Sequence, residues 1–307
     1  MGFSEEWKLK LNRYSMINFE FFDKAHSTLM LNNEAESIKA YVRSVNSILN
    51  SPSGVNLSII MSEIAYLDKC NNLNSSLKES IKLYLNISMF LIADSIHRNQ
   101  YQTYLENHKI RKEPFKSPVI IVAGGSSRMD ETKASEYQVF IHNLFKRFRG
   151  TIISGGTNTG IPGLLGVVKG EMEKRQPLDF ELVAYLPANL PVNTIKSTAY
   201  DHFYETDSDY FSVLDVLSYW CDLVCSGINP SDVILVGIEG GDIAAMEYRI
   251  ALSLGAKVGL ITGSGRAVTE LRNDEFWKNH PNLLEIPNDP RTILALINRQ
   301  LEKIAGT

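Results

Sequence analysis

The 307-residue chain carries 31 Lys and Arg against 35 Asp and Glu, a formal net charge of -4, and 44% of its residues are hydrophobic. This composition is typical of a globular protein with room for two domains, and the acidic excess provides no polybasic surface for nucleic acid. Three cysteines are too few for a disulfide framework. The chain opens on mixed charges rather than a secretion signal, and no apolar run is long enough for a membrane span, so we expect a cytoplasmic protein.

Residues 1–112 predict an all-α domain. Of the 20 glycines, only two precede residue 116, and apolar residues recur at steps of three and four, which is typical of helices. These patterns predict helices over residues 38–48, 56–67 and about 75–106. Apolar stripes among mixed charges suit self-association, so we expect this domain to form a homo-oligomer or to contact an effector.

Residues 116–307 alternate short apolar runs with helical patterns. The runs predict strands over residues 118–123, 151–154, 181–185, 233–236 and 257–261. Helices are predicted over residues 133–148, 162–174, 212–224 and 244–254. This alternation predicts an α/β fold with a parallel, Rossmann-like sheet, preceded by the all-α domain, and with a ligand site at the carboxyl edge of the sheet.

A loop of roughly 25 residues, 186–211, is predicted between the third strand and its helix. Its aromatic residues favour an ordered lid that stacks on a base. We predict no metal site, because Asp207 and Asp209 lack further oxygen ligands at loop spacing and Cys221 and Cys225 lack a second ligand pair. His202 is interpreted as a polar loop residue.

Four predicted strands end in glycine-rich turns, and three of these turns also carry hydroxyl side chains. Main-chain N–H groups that converge at a helix N-terminus suit phosphate or ribose oxygens, although such glycines also serve tight packing of a helix on a strand. Neither the Gly-x-Gly-x-x-Gly fingerprint nor a Walker motif occurs, which disfavours an ordinary NAD site or ATPase. The candidate ligand-binding residues are Gly124, Gly125, Ser126, Ser127, Arg128, Gly155, Gly156, Thr157, Thr159, Gly160, Gly240, Gly241, Asp242, Glu247, Gly263, Ser264 and Arg266.

The charged residues beside these turns have alternative interpretations. Arg128 and Arg266 each follow a turn directly, and their guanidinium groups suit either a phosphate or a surface salt bridge. Asp242 either caps the following helix or hydrogen-bonds ribose hydroxyls. Arg249 lies on another face of that helix from Glu247, and we interpret it as a solvated or sheet-edge arginine.

The turns together resemble the SLOG superfamily, a Rossmann-like group that includes the Smf/DprA proteins and the LOG phosphoribohydrolases. The resemblance lies in residues 123–127, 154–163, 237–247 and 254–258. It is greatest to the sensor branch of TRPM-type channels and of bacterial anti-phage effectors such as the Thoeris system. The resemblance implies a sensor that binds an ADP-ribose-like or cyclic nucleotide-derived signal and requires no cofactor, and the acidic balance of residues 116–307 disfavours the DNA-processing branch.

The same superfamily contains enzymes, so an N-glycosidase or phosphoribohydrolase is the alternative. Its LOG members carry Pro-Gly-Gly-x-Gly-Thr-x-x-Glu, and the matching window here spans residues 239–247. The spacing from the glycine pair to Glu247 is kept, but Glu239 replaces the proline and Ile243 and Ala244 replace Gly-Thr. Glu247 then either accepts a ribose hydroxyl or stabilises oxocarbenium-like charge during cleavage, and the sequence leaves both roles open.

Overall fold

The computed structural model shows two compact units, residues 1–101 and 102–307. The residues that it describes are 17–31, 34–49, 56–75, 77–78, 81–82, 84–85, 113–126, 129, 131–206, 210–211, 213–274, 277–287 and scattered positions from 289 to 302. Over these residues, no helix combines the length and the apolar character that a membrane crossing needs. The predicted domain limits at residues 112 and 116 stay predictions.

The first unit contains α1 (Ile17–Met30), α2 (Glu34–Leu49) and α3 (Asn56–Lys69). Two of these were expected from the periodicity, and α1 was not. Most of the helix predicted over residues 75–106 lies outside the described residues, but Leu77, Ile81 and Leu85 are helical and buried as the pattern requires.

A buried carboxylate joins α1, α2 and α3. Glu63 of α3 accepts a hydrogen bond of 2.6 Å from the Tyr41 hydroxyl of α2. Its Oε1 also lies 2.8 Å from His26 Nε2 of α1. Both Glu63 and Tyr41 are buried, and a buried carboxylate is tolerated only when donors of this kind satisfy it.

The second unit is a seven-stranded parallel sheet, which confirms the predicted α/β fold. The strands are β1 (Val119–Gly124), β2 (Gly150–Ser154), β3 (Phe180–Pro187), β4 (His202–Thr206), β5 (Ile234–Ile238), β6 (Lys257–Ile261) and β7 (Leu283–Ile286). Their spatial order is β4-β3-β2-β1-β5-β6-β7. The order therefore reverses at β1, and the crevice between β1 and β5 is the point where such sheets bind ligands.

Helices connect most of these strands. They are α4 (Glu131–Arg147), α5 (Gly160–Glu173), α6 (Val213–Cys225), α7 (Asp242–Ser253) and α8 (Arg266–Asn273). The central strands β1, β2, β3 and β5 are almost wholly buried, as their continuous β-branched runs predict for strands that are covered on both faces.

The prediction of one long loop over residues 186–211 is wrong, because β4 lies inside it. β4 pairs in parallel with β3 from Val183 opposite His202 to Pro187 opposite Thr206. This edge strand is mostly half-buried, so its sequence lacks the continuous apolar run on which the prediction depended. β7 and α8 were also not predicted.

The connection from β3 to β4 crosses the turn that follows β2. The Asn158 amide donates to the Ile195 carbonyl at 2.9 Å, and the Ser197 amide donates to the Gly156 carbonyl at 2.9 Å. The Leu182 amide donates to the Asp201 carboxylate at 2.7 Å, where the buried Lys169 ammonium also binds. The first two bonds hold the β2 turn, which forms one wall of the cavity. The last two attach the end of the connection to β3 and α5.

Candidate functional site

A cavity of about 280 Å³ lies at the carboxyl ends of β1, β2 and β5. Its walls come from the turns after those strands and from the facing sides of α6 and α7. A concave, partly apolar site at the switch point of a parallel sheet is the position at which ligands bind in this architecture.

The structure brings about half of the predicted site residues together. Those that line the cavity are Gly124, Gly125, Ser126, Gly155, Thr157, Gly241, Asp242, Glu247 and Arg266. The other described candidates, which do not line the cavity, are Gly156, Thr159, Gly160, Gly240, Gly263 and Ser264. Ser127 and Arg128 lie outside the described residues.

The glycines of the turns divide into two kinds. A Cβ added to Gly160, whose φ is +62°, would lie 2.1 Å from the Gly125 carbonyl oxygen, so this glycine allows α5 to pack on the β1 turn. A Cβ on Gly125 or Gly241 would meet no atom closer than 3.6 Å or 3.8 Å respectively. The packing interpretation therefore holds for Gly160, whereas Gly125 and Gly241 leave room for a ligand against the main chain.

Several predicted hydroxyl groups hold the turns together. Thr159 Oγ1 donates to the Ser126 carbonyl at 2.8 Å, and Thr157 Oγ1 donates to the Thr159 carbonyl at 3.2 Å. The buried Ser264 Oγ accepts from the Glu239 amide at 3.0 Å. These three residues shape the turns, and Ser126 is the exposed hydroxyl at the cavity.

Glu247 lies at the cavity with a specific partner from α6. The Tyr219 hydroxyl donates a hydrogen bond of 2.7 Å to Glu247 Oε1. Burial raises the pKa of Glu247 to about 7, and the hydrogen bond from Tyr219 acts in the opposite direction. A carboxyl group with such a pKa is present in both protonation states near neutral pH, which is common at functional sites.

The sequence interpretation missed the contribution of α6. Asp215 and Tyr219 both line the cavity, and Asp215 accepts a hydrogen bond from the Thr206 hydroxyl. Asp222 accepts another from the Tyr185 hydroxyl. Asp215, Tyr219 and Asp222 follow one another at steps of four and three, so a polar stripe on an otherwise apolar helix was the available signal.

Aromatic rings form the wall next to this polar stripe. Tyr185, which lines the cavity, stacks on Tyr204 at a centroid distance of 5.3 Å and meets Tyr219 edge-on at 5.9 Å. Phe211, from the segment predicted as a lid, also lines the cavity. This wall provides the flat, apolar surface that a heterocyclic base requires.

The structure resolves two of the open interpretations of charged residues. Gly241 is the N-cap of α7 and no side chain caps that helix end, so Asp242 is not a cap, and it is an exposed residue at the cavity. Arg249 is not solvated: it is 1% exposed. Its Nη2 lies 2.8 Å from Glu270 and 3.3 Å from Asp274, because the helix face opposite Glu247 packs against α8.

Arg266 begins α8 and is exposed at the cavity. Within the described residues no group of three or more His, Cys, Asp or Glu side chains is placed to hold a metal ion. His202 belongs to β4 rather than a loop, and its Nε2 lies 3.5 Å from Glu181 Oε2. Asp207 and Asp209 lie outside the described residues.

No family model matches the chain, and no curated protein matches it either. Among solved structures it is similar to the Moco carrier protein of Chlamydomonas reinhardtii, with 18% identity over 61% of this chain and 98% of that one, at a TM-score of 0.43. It is also similar to the molybdenum cofactor binding protein of the phototrophic bacterium Rippkaea orientalis, with 15% identity over 59% and 96% of the chains, at a TM-score of 0.41. Similarity at this level assigns no ligand to the chain.

Proposed function

We propose that the protein is a sensor that binds an ADP-ribose-like or cyclic nucleotide-derived signal in the cavity at the β1/β5 switch point. The observation that carries the proposal is the meeting of three glycine turns with an aromatic wall in one cavity. Phosphate oxygens would bind the open main chain at Gly125 and Gly241 near Arg266, and the base would pack beside Tyr185. Asp242 and Glu247 would accept ribose hydroxyls.

The SLOG resemblance supports the sensor role and suggests bacterial anti-phage signalling as its setting. In that arrangement the helical unit transmits the signal through self-association. Light scattering of the full chain, with and without ADP-ribose, tests this step, and an unchanged mass in both samples would contradict it.

Calorimetry with ADP-ribose, cyclic ADP-ribose isomers, NAD and AMP tests the ligand class. The informative variant is Gly241→Asp, because Gly241 has an ordinary φ of -105° and open space around it. The substitution should leave the fold intact while it places a carboxylate where the phosphate would approach. Gly170→Ala, on α5 with nothing within 4 Å of its added Cβ, is the matched control. Absence of heat with all four nucleotides would refute the proposal.

Cleavage of an N-glycosidic bond is the second candidate, and the Glu247–Tyr219 pair is the observation that favours it. A carboxyl group with a pKa near 7 can, when protonated, donate a proton to a leaving adenine and, when ionised, stabilise positive charge on the ribose. Nicotinamide leaves NAD as a neutral base, so only the second role applies to that substrate. Chromatography of NAD incubated with the protein tests this activity. Release of nicotinamide by the wild type and not by Glu247→Gln would show that the site is catalytic.

The pH dependence separates the two catalytic roles. With AMP as the substrate, whose adenine leaves more readily when it is protonated, the rate falls as the pH rises through about 7 if Glu247 donates the proton. If Glu247 acts as a carboxylate, the rate with AMP or NAD rises over the same range.

A further inference from the structure

Two charged residues that the proposed site does not use face each other across the switch point. Lys133 lies in the first turn of α4, and Glu239 lies in the turn after β5. Lys133 Nζ is 3.3 Å from Glu239 Oε1. Their side chains are 48% and 23% exposed respectively, and an ion pair this exposed adds little to folding stability.

The Glu239 carboxylate lies over the glycine turn that follows β1. Glu239 Oε2 is 3.8 Å from the position that a Cβ on Gly125 would take, and the Gly240 amide nitrogen is 3.6 Å from the same point. The turns of β1 and β5 therefore meet here. The Glu239 carboxylate lies between them, at a place where the negative group of a ligand could otherwise bind.

The main chain fixes Glu239 in this position. Its φ is +59°, a conformation in which a residue with a side chain is uncommon. The Glu239 amide donates to Ser264 Oγ at 3.0 Å, and its carbonyl accepts from the Tyr248 hydroxyl at 3.2 Å. The backbone is held from two sides while the side chain ends in a weak, partly exposed pair, so the carboxylate can leave without disturbing the turn.

We propose that Lys133 is a phosphate-binding residue and that the Glu239 carboxylate occupies its ammonium group until a ligand phosphate displaces it. A phosphate offers more negative charge and more acceptor oxygens than a carboxylate, so the exchange favours the phosphate. Glu239 then discriminates between ligands by their negative charge. A ligand with a single weak anionic group gains less from displacing the carboxylate than a diphosphate does. The inference rests on the proposed function only in that the ligand carries phosphate.

Calorimetry with inorganic pyrophosphate tests the exchange directly. Lys133→Gln should weaken pyrophosphate binding by about tenfold, the loss of one charge-assisted hydrogen bond. Glu239→Gln should tighten it by about two- to fivefold, because the competing carboxylate is gone. Lys146→Gln, an exposed lysine near the other end of α4, is the control and should leave the affinity unchanged. Adenosine, which has no phosphate, should bind all four proteins alike.

Each result decides the inference. No binding of pyrophosphate to the wild type, or equal affinity in Lys133→Gln and wild type, overturns it, and so does weaker binding by Glu239→Gln. If Glu239→Gln does not fold, Lys133→Gln decides alone. Wild type that binds pyrophosphate with the expected variant effects but binds none of ADP-ribose, cyclic ADP-ribose isomers, NAD and AMP would refute the proposed function and leave this inference standing. If the wild type and Lys133→Gln bind ADP-ribose with equal affinity, the proposed function is supported and this inference is overturned.

Discussion

The Tyr219 hydroxyl donates to Glu247 Oε1 at 2.7 Å and thereby joins α6 to α7 at the wall of the cavity. Glu247 has a pKa of about 7 in the folded protein, against 4.5 without burial. At pH values between 4.5 and about 7, Glu247 is mostly protonated in the folded chain and mostly ionised in the unfolded chain. The contribution of this residue to stability therefore falls as the pH rises from about 4.5 to 7 and stays low above that range.

Glu247→Gln should remove this pH dependence. We expect the free energy of unfolding of the wild type, relative to that of the variant, to be smaller at pH 8 than at pH 5, so the wild type is relatively less stable at the higher pH. Urea unfolding at the two pH values measures the difference, and Glu171→Gln, at an exposed position on α5, is the control. If the free energy of unfolding changes with pH in the same way in the wild type and in Glu247→Gln, burial does not raise the pKa of Glu247.

Gly160→Ala should destabilise the sheet unit by about 2 kcal/mol or more, since a positive φ and a close backbone contact both oppose the methyl group. Its Cβ would lie 2.1 Å from the Gly125 carbonyl oxygen. Gly170→Ala on the same helix has open space and should be neutral or stabilising by up to about 1 kcal/mol. Thermal unfolding of both variants measures the contrast, and equal melting temperatures would be inconsistent with the tight β1–α5 packing.

Arg249→Met should cost about 3 kcal/mol or more, because the largely buried Asp274 carboxylate loses its guanidinium partner. Arg266→Gln, at the exposed start of α8, should change stability by less than about 0.5 kcal/mol and instead weaken nucleotide binding. Denaturant unfolding and calorimetry on both variants separate a structural arginine from a ligand-binding one. The reverse pattern would mean that the two roles have been assigned to the wrong residues.

Tyr41→Phe should destabilise the helical unit by about 1.5 to 3 kcal/mol, since the Glu63 carboxylate loses a buried hydrogen bond of 2.6 Å. Hydrogen exchange over α1 to α3 measures this loss within the unit. Ser27→Ala removes only an exposed hydroxyl contact on α1 and serves as the control. Unchanged exchange in Tyr41→Phe would show that His26 alone satisfies Glu63.

The sheet could be predicted from the sequence wherever strands are buried on both faces. β1, β2, β3, β5 and β6 come from continuous apolar runs, because a central parallel strand has no solvent side. β4 and β7 were missed because an edge strand needs fewer apolar residues, and "HFYET" and "LLEI" do not stand out from a loop.

The site could be predicted only in part, for a different reason. Glycine turns at strand ends are local features, so Gly125 and Gly241 could be placed at the ligand edge from the sequence. The pairing of Tyr219 with Glu247 joins two helices that are separated along the chain by β5, and spacing along one helix contains no information about its neighbour. Arg249 was misassigned for the same reason, since its partners are Glu270 of α8 and Asp274, the residue that follows this helix.

The central position of β1 also determines when the cavity can form. Ile120 pairs with Ile152 on one side and with Ile234 on the other, so one edge of β1 has no partner until β5 has been synthesised. Until then an apolar strand edge stays open to association with other chains. Nascent chains therefore acquire their ligand crevice late, and we expect ligand to stabilise the completed sheet rather than any earlier intermediate.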